Sequence, residues 1–377
     1  MLIMLLVPVA AQSTTAPEDS VLLTTNGAQD SILLIDPDNS QTSTFSLGGG
    51  IHTAWGFSPD GCRVLLTVMS GDGFARAYTT LLDGSDVREL VLYDEQPRNQ
   101  WGIWEPTWSP AGDKIAFTLL RDGFEGSPER TYHIAWVSPE GGTPTFYSVT
   151  GREHTPIWSP DGAQLAYISY DQRAPGEWFD ATAEPDIATA TPPEQLLSEG
   201  DMWVVGADGE DKFRSTFFET GSVRALRWSP SGEWLSLVMS PSASNDTLWV
   251  IHPEQGAKPI QVTYTYNMTL DHTWLPDSSA ILASARAVQD ISTAALWTFP
   301  LQSGADASGA LYAQPEALPY PDYPAFSPDG SRLALRTGYR VGMIEPDGHL
   351  TSLPDSEGNM PIYWSPAHRI SPEDCTN

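Results

Sequence analysis

Cysteine and lysine are scarce in this chain of 377 residues. The two cysteines, Cys62 and Cys375, stand near opposite ends of the sequence. In an oxidising compartment they could tie the C-terminal tail to an early part of the fold, with two separate buried thiols as the alternative. Lysine occurs only at Lys114, Lys212 and Lys258, and 19 basic residues face 48 acidic ones, for a formal charge of −29. Such a surface repels phosphates. It excludes unaided binding to nucleic acid or an anionic membrane and favours basic or neutral partners. No CxxC pair, HExxH helix, Gly-rich phosphate cradle or complete calcium-loop spacing occurs. Long apolar runs are missing too. Met1–Ala11 has about the length of a signal-peptide core and ends in Val9-Ala10-Ala11, although no basic residue precedes it. It is far short of the roughly 20 residues that span a bilayer. The expectation is an extracytoplasmic protein, periplasmic or secreted, with residues 1–11 as a signal peptide and 12–19 as a linker; the missing basic residue means either a truncated start or no signal peptide.

What is abundant is turn and ring: 32 prolines and 14 tryptophans. The stretch His154–Tyr167, HTPIWSPDGAQLAY, shows how they are used. Proline at the second turn position and a following glycine suit a type I turn closed by a left-handed residue, which joins two antiparallel strands. The aromatic residue before the turn and the alternating Leu165 and Tyr167 after it mark the two strands. Degraded copies begin at Phe57, Trp108, Trp228, Trp274, Phe326 and Trp364. Successive aromatic anchors lie 51, 50, 70, 46, 52 and 38 residues apart. A period near 45–50 in an all-β chain indicates four-stranded propeller blades. Between anchors a second apolar strand runs into another turn, as in Ser31–Asp38 and Thr247–Gly256. Each blade therefore reads as strand A, SPDG-type turn, strand B, loop, strand C, turn, strand D.

The phase of the repeat fixes the blade number. The chain starts with B, C and D strands at Val21–Thr25, Ser31–Asp36 and Thr42–Leu47, and it ends with an A strand at Pro361–Ser365. Joined in one blade, these ends close the ring and leave no open sheet edge. The predicted fold is an all-β, seven-bladed β-propeller over residues 20–366. One blade is shared by the two termini, and six continuous blades start near His52, Gly102, Glu153, Ser222, Thr269 and Pro321. Residues 171–200 form an inserted loop with no strand or helix pattern, Arg121–Arg130 is a smaller enlargement in the preceding blade, and 367–377 is a tail.

These aromatic-SPDG hairpins resemble the WD40-like PD40 repeats of TolB-type β-propellers, over about residues 20–366. The sequence differs from TolB itself in its inferred blade number, seven rather than six, and in showing no α/β segment ahead of the repeats. Similar propellers form the non-catalytic domain of prolyl oligopeptidase-type peptidases, whose hydrolase domain carries a G-x-S-x-G elbow absent from this sequence. The resemblance implies the fold, and many activities share it.

Strand A lines the channel of a propeller, so residues just before it converge near one mouth. His52, His154 and His272 stand there, each followed by threonine. Neutral imidazoles at such positions could bind a divalent metal with Glu153 or Asp271, as the resemblance to oligogalacturonate lyase-type propellers implies. The alternatives are a hydrogen bond to a neighbouring blade's backbone or direct catalysis. Trp104, Glu105, Arg152, Arg224, Asp322, Tyr323 and Asn359 reach the same mouth, where mixed charge and aromatics suit a polar ligand or an inserted peptide; ordinary loop solvation is the plain reading. Phe124, Trp178 and Phe179 could anchor a protein partner or fold back on the propeller. Asp60, Asp161 and Asp329 each close their own hairpin turn. The functional expectation is a monomeric, non-enzymatic platform for a protein or peptide, without cofactor. A metal-assisted lyase or hydrolase using the channel histidines is the alternative.

Overall fold

The computed structural model describes residues 20–91, 101–121, 130–147, 151–170, 200–218, 221–240, 246–263, 266–287, 290–301, 309–313, 321–338, 340–366 and 375. Phe124, Trp178, Phe179, the signal peptide, the linker, the inserted loop before Gly200 and the tail other than Cys375 lie outside them. Seven four-stranded antiparallel blades stand in a ring. Blades 2 to 7 begin with the inner strands Ile51–Phe57, Trp101–Trp108, Glu153–Trp158, Ser222–Trp228, Tyr266–Trp274 and Pro321–Phe326. Blade 1 is the shared one: Leu22 pairs with Trp364 and Leu23 with Tyr363. The predicted closure is therefore present. One detail differs from expectation. The outer strand of blade 7 and the inner strand of blade 1 are one continuous strand, Leu350–Trp364, so two blades merge into a seven-stranded sheet.

The core lies between blades, not inside one sheet. Consecutive residues of a strand point to opposite faces, and each face of a blade meets a neighbour. Leu23 packs towards Ala54, Val64 and Leu66 of blade 2. Its neighbour Leu22 packs towards Ala334 and Val341 of blade 7. Both leucines are fully buried. The second strands consequently read as nearly continuous apolar runs, such as Val64–Leu66 and Val68–Met69 around Thr67, because both faces are covered.

The SPDG copies hold turns and neighbours at once. In blade 4 the Ser159 hydroxyl donates to Asp161 Oδ1 at 2.6 Å, while the amides of Ala163 and Gln164 donate to Asp161 Oδ1 and Ser159 Oγ at 3.0 and 2.9 Å. The Ser159 hydroxyl and the Ala163 amide keep the Asp161 carboxyl below its usual range. Gly162 has φ 71°, and the Cβ it lacks would sit 3.5 Å from Pro110 of the preceding blade. At the degraded copy in blade 6 a serine takes that place: Ser278, φ 62°, accepts the Ser231 amide of blade 5 at 3.0 Å. The aromatic anchors also reach backwards. The indole N–H groups of Trp228, Trp274 and Trp364 donate to Ile157, Arg227 and Ala325 carbonyls of the preceding blades at 3.2, 3.4 and 2.8 Å. So the repeated motif is a joint between blades as well as a hairpin.

Cys62, in the first turn of blade 2, is bonded to Cys375, with 313 residues of separation and Cα atoms 5.4 Å apart. Of the two readings of the cysteines, the cross-link is the one present. A cross-link of this kind removes freedom from the unfolded chain and typically adds about 2–4 kcal/mol. Cys62→Ser should lower the unfolding free energy by about that amount in denaturant titrations, and reducing agent should shift the wild type but not the variant. Coincident curves would show that the bond contributes nothing.

Candidate functional site

Each inner strand carries a bulge before its aromatic anchor. Counting back one residue from each anchor gives Gly56, Thr107, Ile157, Arg227, Thr273, Ala325 and Tyr363, and all seven line one central cavity of about 910 Å³. Counting back three gives a second tier containing Glu105, Thr155, Ala225, Asp271 and Tyr323. The period-2 alternation of a strand produces the two tiers, and the bulge re-aims the second. Four second-tier residues in four blades are left-handed without being glycine: Glu105, Thr155, Ala225 and Tyr323, with φ of 52°, 57°, 52° and 51°. Each such residue costs about 1–3 kcal/mol and persists where the surroundings hold it.

One side of the cavity is an ion-paired patch. Arg227 donates to Asp271 Oδ2 at 2.8 Å and Oδ1 at 3.1 Å, and Asp271 Oδ1 also accepts the His272 amide at 2.8 Å. The Asp271 carboxylate raises the pKa of the Arg227 guanidinium further. Tyr323 is pushed up to about 12, chiefly by burial and then by Asp322 and Asp271. Burial also raises the Tyr363 phenol. The ring of Tyr363 stands over Gly56, where a Cβ would meet it at 3.5 Å. The opposite side is built on Glu105. Its Oε2 accepts the Thr155 amide at 2.9 Å, the Thr155 hydroxyl at 3.0 Å and the Thr118 hydroxyl at 3.4 Å. Burial raises the Glu105 pKa, offset in part by those donors.

Of the residues singled out in the sequence, Glu105, His154, Arg224, Asp271 and Tyr323 line the cavity. Arg224 is ion-paired with Asp246. Trp104 is 41% exposed outside the cavity wall. Arg152 and Glu153 are tied to each other, the Arg152 amide donating to Glu153 Oε2 at 3.1 Å. Asp322 is buried against Arg336 at 3.1 Å, and burial raises it to about 6 despite that partner. Asn359 pairs through its backbone with Thr25 in the closing ladder. Sequence reasoning missed Arg227 and Tyr363. The signal was available: both stand one residue before an anchor, a position that the alternation turns into the channel.

The histidines have three different surroundings. His52 is fully buried, its Nε2 accepting the Leu47 amide at 3.1 Å and its Nδ1 3.2 Å from the Gly50 carbonyl. His272 is fully buried with Nε2 2.7 Å from the Ser236 hydroxyl of blade 5. Only His154 lines the cavity, stacked on Tyr170 with ring centroids 5.1 Å apart. Among the described residues no three His, Cys, Asp or Glu side chains are grouped to hold a metal ion. The three imidazoles therefore do not fit one metal site.

No family model matches the chain. An uncharacterised protein of Agrobacterium fabrum is 28% identical over 144 residues, 37% of this chain and 47% of that protein. A probable dipeptidyl-peptidase 5 of Arthroderma benhamiae is 27% identical over 175 residues, 44% of this chain and 22% of that protein. The matched part is thus less than half of either relative. Among solved structures, puromycin hydrolase superposes with a TM-score of 0.61 at 15% identity, over 93% of this chain and 55% of that one. Oligogalacturonate lyase in complex with manganese gives 0.59 at 15% identity, over 91% and 95% of the two chains. TolB from Acinetobacter baumannii gives 0.51 at 14% identity, over 92% and 66%. At these identities the likeness is one of fold, and the fold is that of the TolB-like β-propellers.

Burial pulls both His154 and His272 down to about 4 from an ordinary 6.5. Between those values the unfolded chain takes up protons that the folded one refuses, so these groups make stability fall as pH drops from 6.5 towards 4. His154→Gln should flatten that part of the profile in unfolding titrations at stepped pH. Parallel profiles would show that the imidazole is not held neutral.

Proposed function

We propose that this protein is an exported, non-enzymatic propeller that binds a protein or peptide partner, with a segment of the partner entering the central channel. The observation that carries this reading is the cavity itself. About 910 Å³ is bounded by inner strands of all seven blades, within the size range of pockets that hold ligands. Its wall combines the aromatics Trp55, Trp108, Tyr323 and Tyr363 with the Arg227–Asp271 pair. Aromatic faces beside a few oriented polar groups suit an extended peptide. The Cys62–Cys375 bond supports a location outside the reducing cytoplasm. Among the described residues no helix is long and apolar enough to cross a membrane. The charge of −29 favours a basic or neutral partner.

Ala325→Trp would place an indole in the cavity from the first tier. Affinity capture from an envelope extract of the source cells, with identification of the retained protein, should yield a partner for wild type and lose it for this variant. An unchanged melting temperature would show that the ring is intact. Retention of the same partner by a folded Ala325→Trp variant would move the binding surface away from the channel.

A second reading, a metal-assisted lyase or hydrolase, is favoured by the end-to-end superposition on the manganese-bound oligogalacturonate lyase. Against it stands the histidine geometry, since His52 and His272 are enclosed away from the cavity that His154 lines. Elemental analysis of protein purified without chelator should find divalent metal well below one equivalent. One equivalent lost on His154→Ala and His272→Ala would establish the enzyme reading instead.

A further inference from the structure

We infer that the Glu105 side of the channel is a receptor for an organic cation: a lysine or arginine side chain, or the free amino terminus, of the peptide segment proposed above, on which reading this inference rests. The argument begins with charge pairing. The other acidic groups near the channel are already matched, Asp271 with Arg227, Asp322 with Arg336 and Asp246 with Arg224. Glu105 is the exception. Among the described residues no ion pair reaches it, and its three donors, the Thr155 amide and hydroxyl and the Thr118 hydroxyl, are all neutral and all converge on Oε2. Oε1 receives none of them, and the residue lines the cavity.

Even half-buried, as Glu105 is, a carboxylate without a counter-charge is a costly arrangement. Here it is also held on a left-handed backbone, φ 52°, at a strand bulge. The left-handed backbone recurs at Thr155, Ala225 and Tyr323 and belongs to the bulge, so what sets Glu105 apart is a carboxylate held by three neutral donors with no cation beside it among the described residues. Burial raises the Glu105 pKa, as expected of an acid awaiting its partner.

The adjacent imidazole extends the acceptor surface. The Thr155 hydroxyl has one proton and gives it to Glu105 at 3.0 Å. His154 Nδ1, 2.8 Å from the same oxygen, is therefore the donor there. That tautomer leaves Nε2 as a lone-pair acceptor, enclosed and with no hydrogen-bond partner among the described residues. The ring stays neutral above pH 4 or so, so it is not the missing counter-charge. Tyr170 stacks on His154 with ring centroids 5.1 Å apart and stands outside the cavity wall, so it fixes the imidazole plane and does not itself face the channel. The carboxylate and the imidazole are joined through the Thr155 hydroxyl, and the free atom of each, Glu105 Oε1 and His154 Nε2, is an acceptor and not a donor. The negative charge of the whole molecule draws cations towards the channel.

The test uses the intact protein, fluorescently labelled, on an array of random dodecapeptides prepared with free and with acetylated amino termini. Wild type should prefer Lys or Arg over norleucine at one position, or free over acetylated amino termini; which of these appears identifies the source of the cation. Glu105→Gln keeps the shape and an acceptor while removing the charge, and it should reduce that preference by about tenfold, the scale of one charge-assisted hydrogen bond. Asp83→Asn, which removes the same unit of charge from an exposed turn, should leave it unchanged. A folded Glu105→Gln protein that retains the preference overturns the inference. Wild type that binds peptides without any cationic preference also overturns it and leaves the platform reading standing, whereas wild type that binds no peptide removes both. If the Gln variant does not fold, the wild-type comparison of lysine with norleucine and of free with acetylated termini decides alone.

Discussion

Everything in this molecule hangs on the ladder between Leu22–Leu23 and Tyr363–Trp364. A propeller blade is apolar on both faces, so a row of seven is stable only when the last blade covers the first. The ladder makes that cover covalent on one side of blade 1 and hydrogen-bonded on the other. Around it Ser365 adds two bonds to Val21, its amide donating to the Val21 carbonyl and its hydroxyl accepting the Val21 amide. The Trp364 indole reaches on to blade 7. The disulfide to blade 2 then fastens the tail across the joint. Strand pairing, side-chain capping and indole bonding all meet within a few residues of one seam, and the cross-link is made further along the tail.

The remaining joints repeat on a smaller scale what the seam does. An SPDG-type turn places a proline where the glycine, or in blade 6 the serine, of the next turn rests on it or bonds beside it. Three of the five tryptophan anchors, Trp228, Trp274 and Trp364, tie their indoles to the previous blade at the level of the first channel tier. The carbonyls used in this way belong to residues whose side chains face the cavity, Ile157, Arg227 and Ala325. Hence the same short segment serves two ends, its backbone holding the ring and its side chain shaping the cavity. That economy explains how the wall can vary from Gly56 to Tyr363 without disturbing the architecture.

Most of the fold could be read from the sequence because its signals are periodic. The anchors give the blade count, and the phase of the first and last strands gives the closure. Both are in place, as is the hairpin role of Asp161. The site was less legible. His52, His154 and His272 share a sequence context, yet their offsets from the anchor are five, four and two residues, and a strand converts such differences into different faces and depths. Two of them end in the core. Arg227 and Tyr363 were overlooked because attention fell on residues ahead of the strand, whereas the bulge lets residues beside the anchor dominate the cavity. That Cys62 meets Cys375 depends on a tail path that no local pattern encodes. What strand period and turn chemistry fix was readable; what depends on bulge position and burial depth was not.

Tyr363 sits on the closing ladder, opposite Leu23, and on the wall of the cavity at the same time. Opening the wheel and deforming the binding space are therefore a single event. A pulling force, or a protease cutting near this seam, would release any guest from the channel at the moment the first blade parts, so occupancy of the channel and mechanical integrity of the ring would rise and fall together.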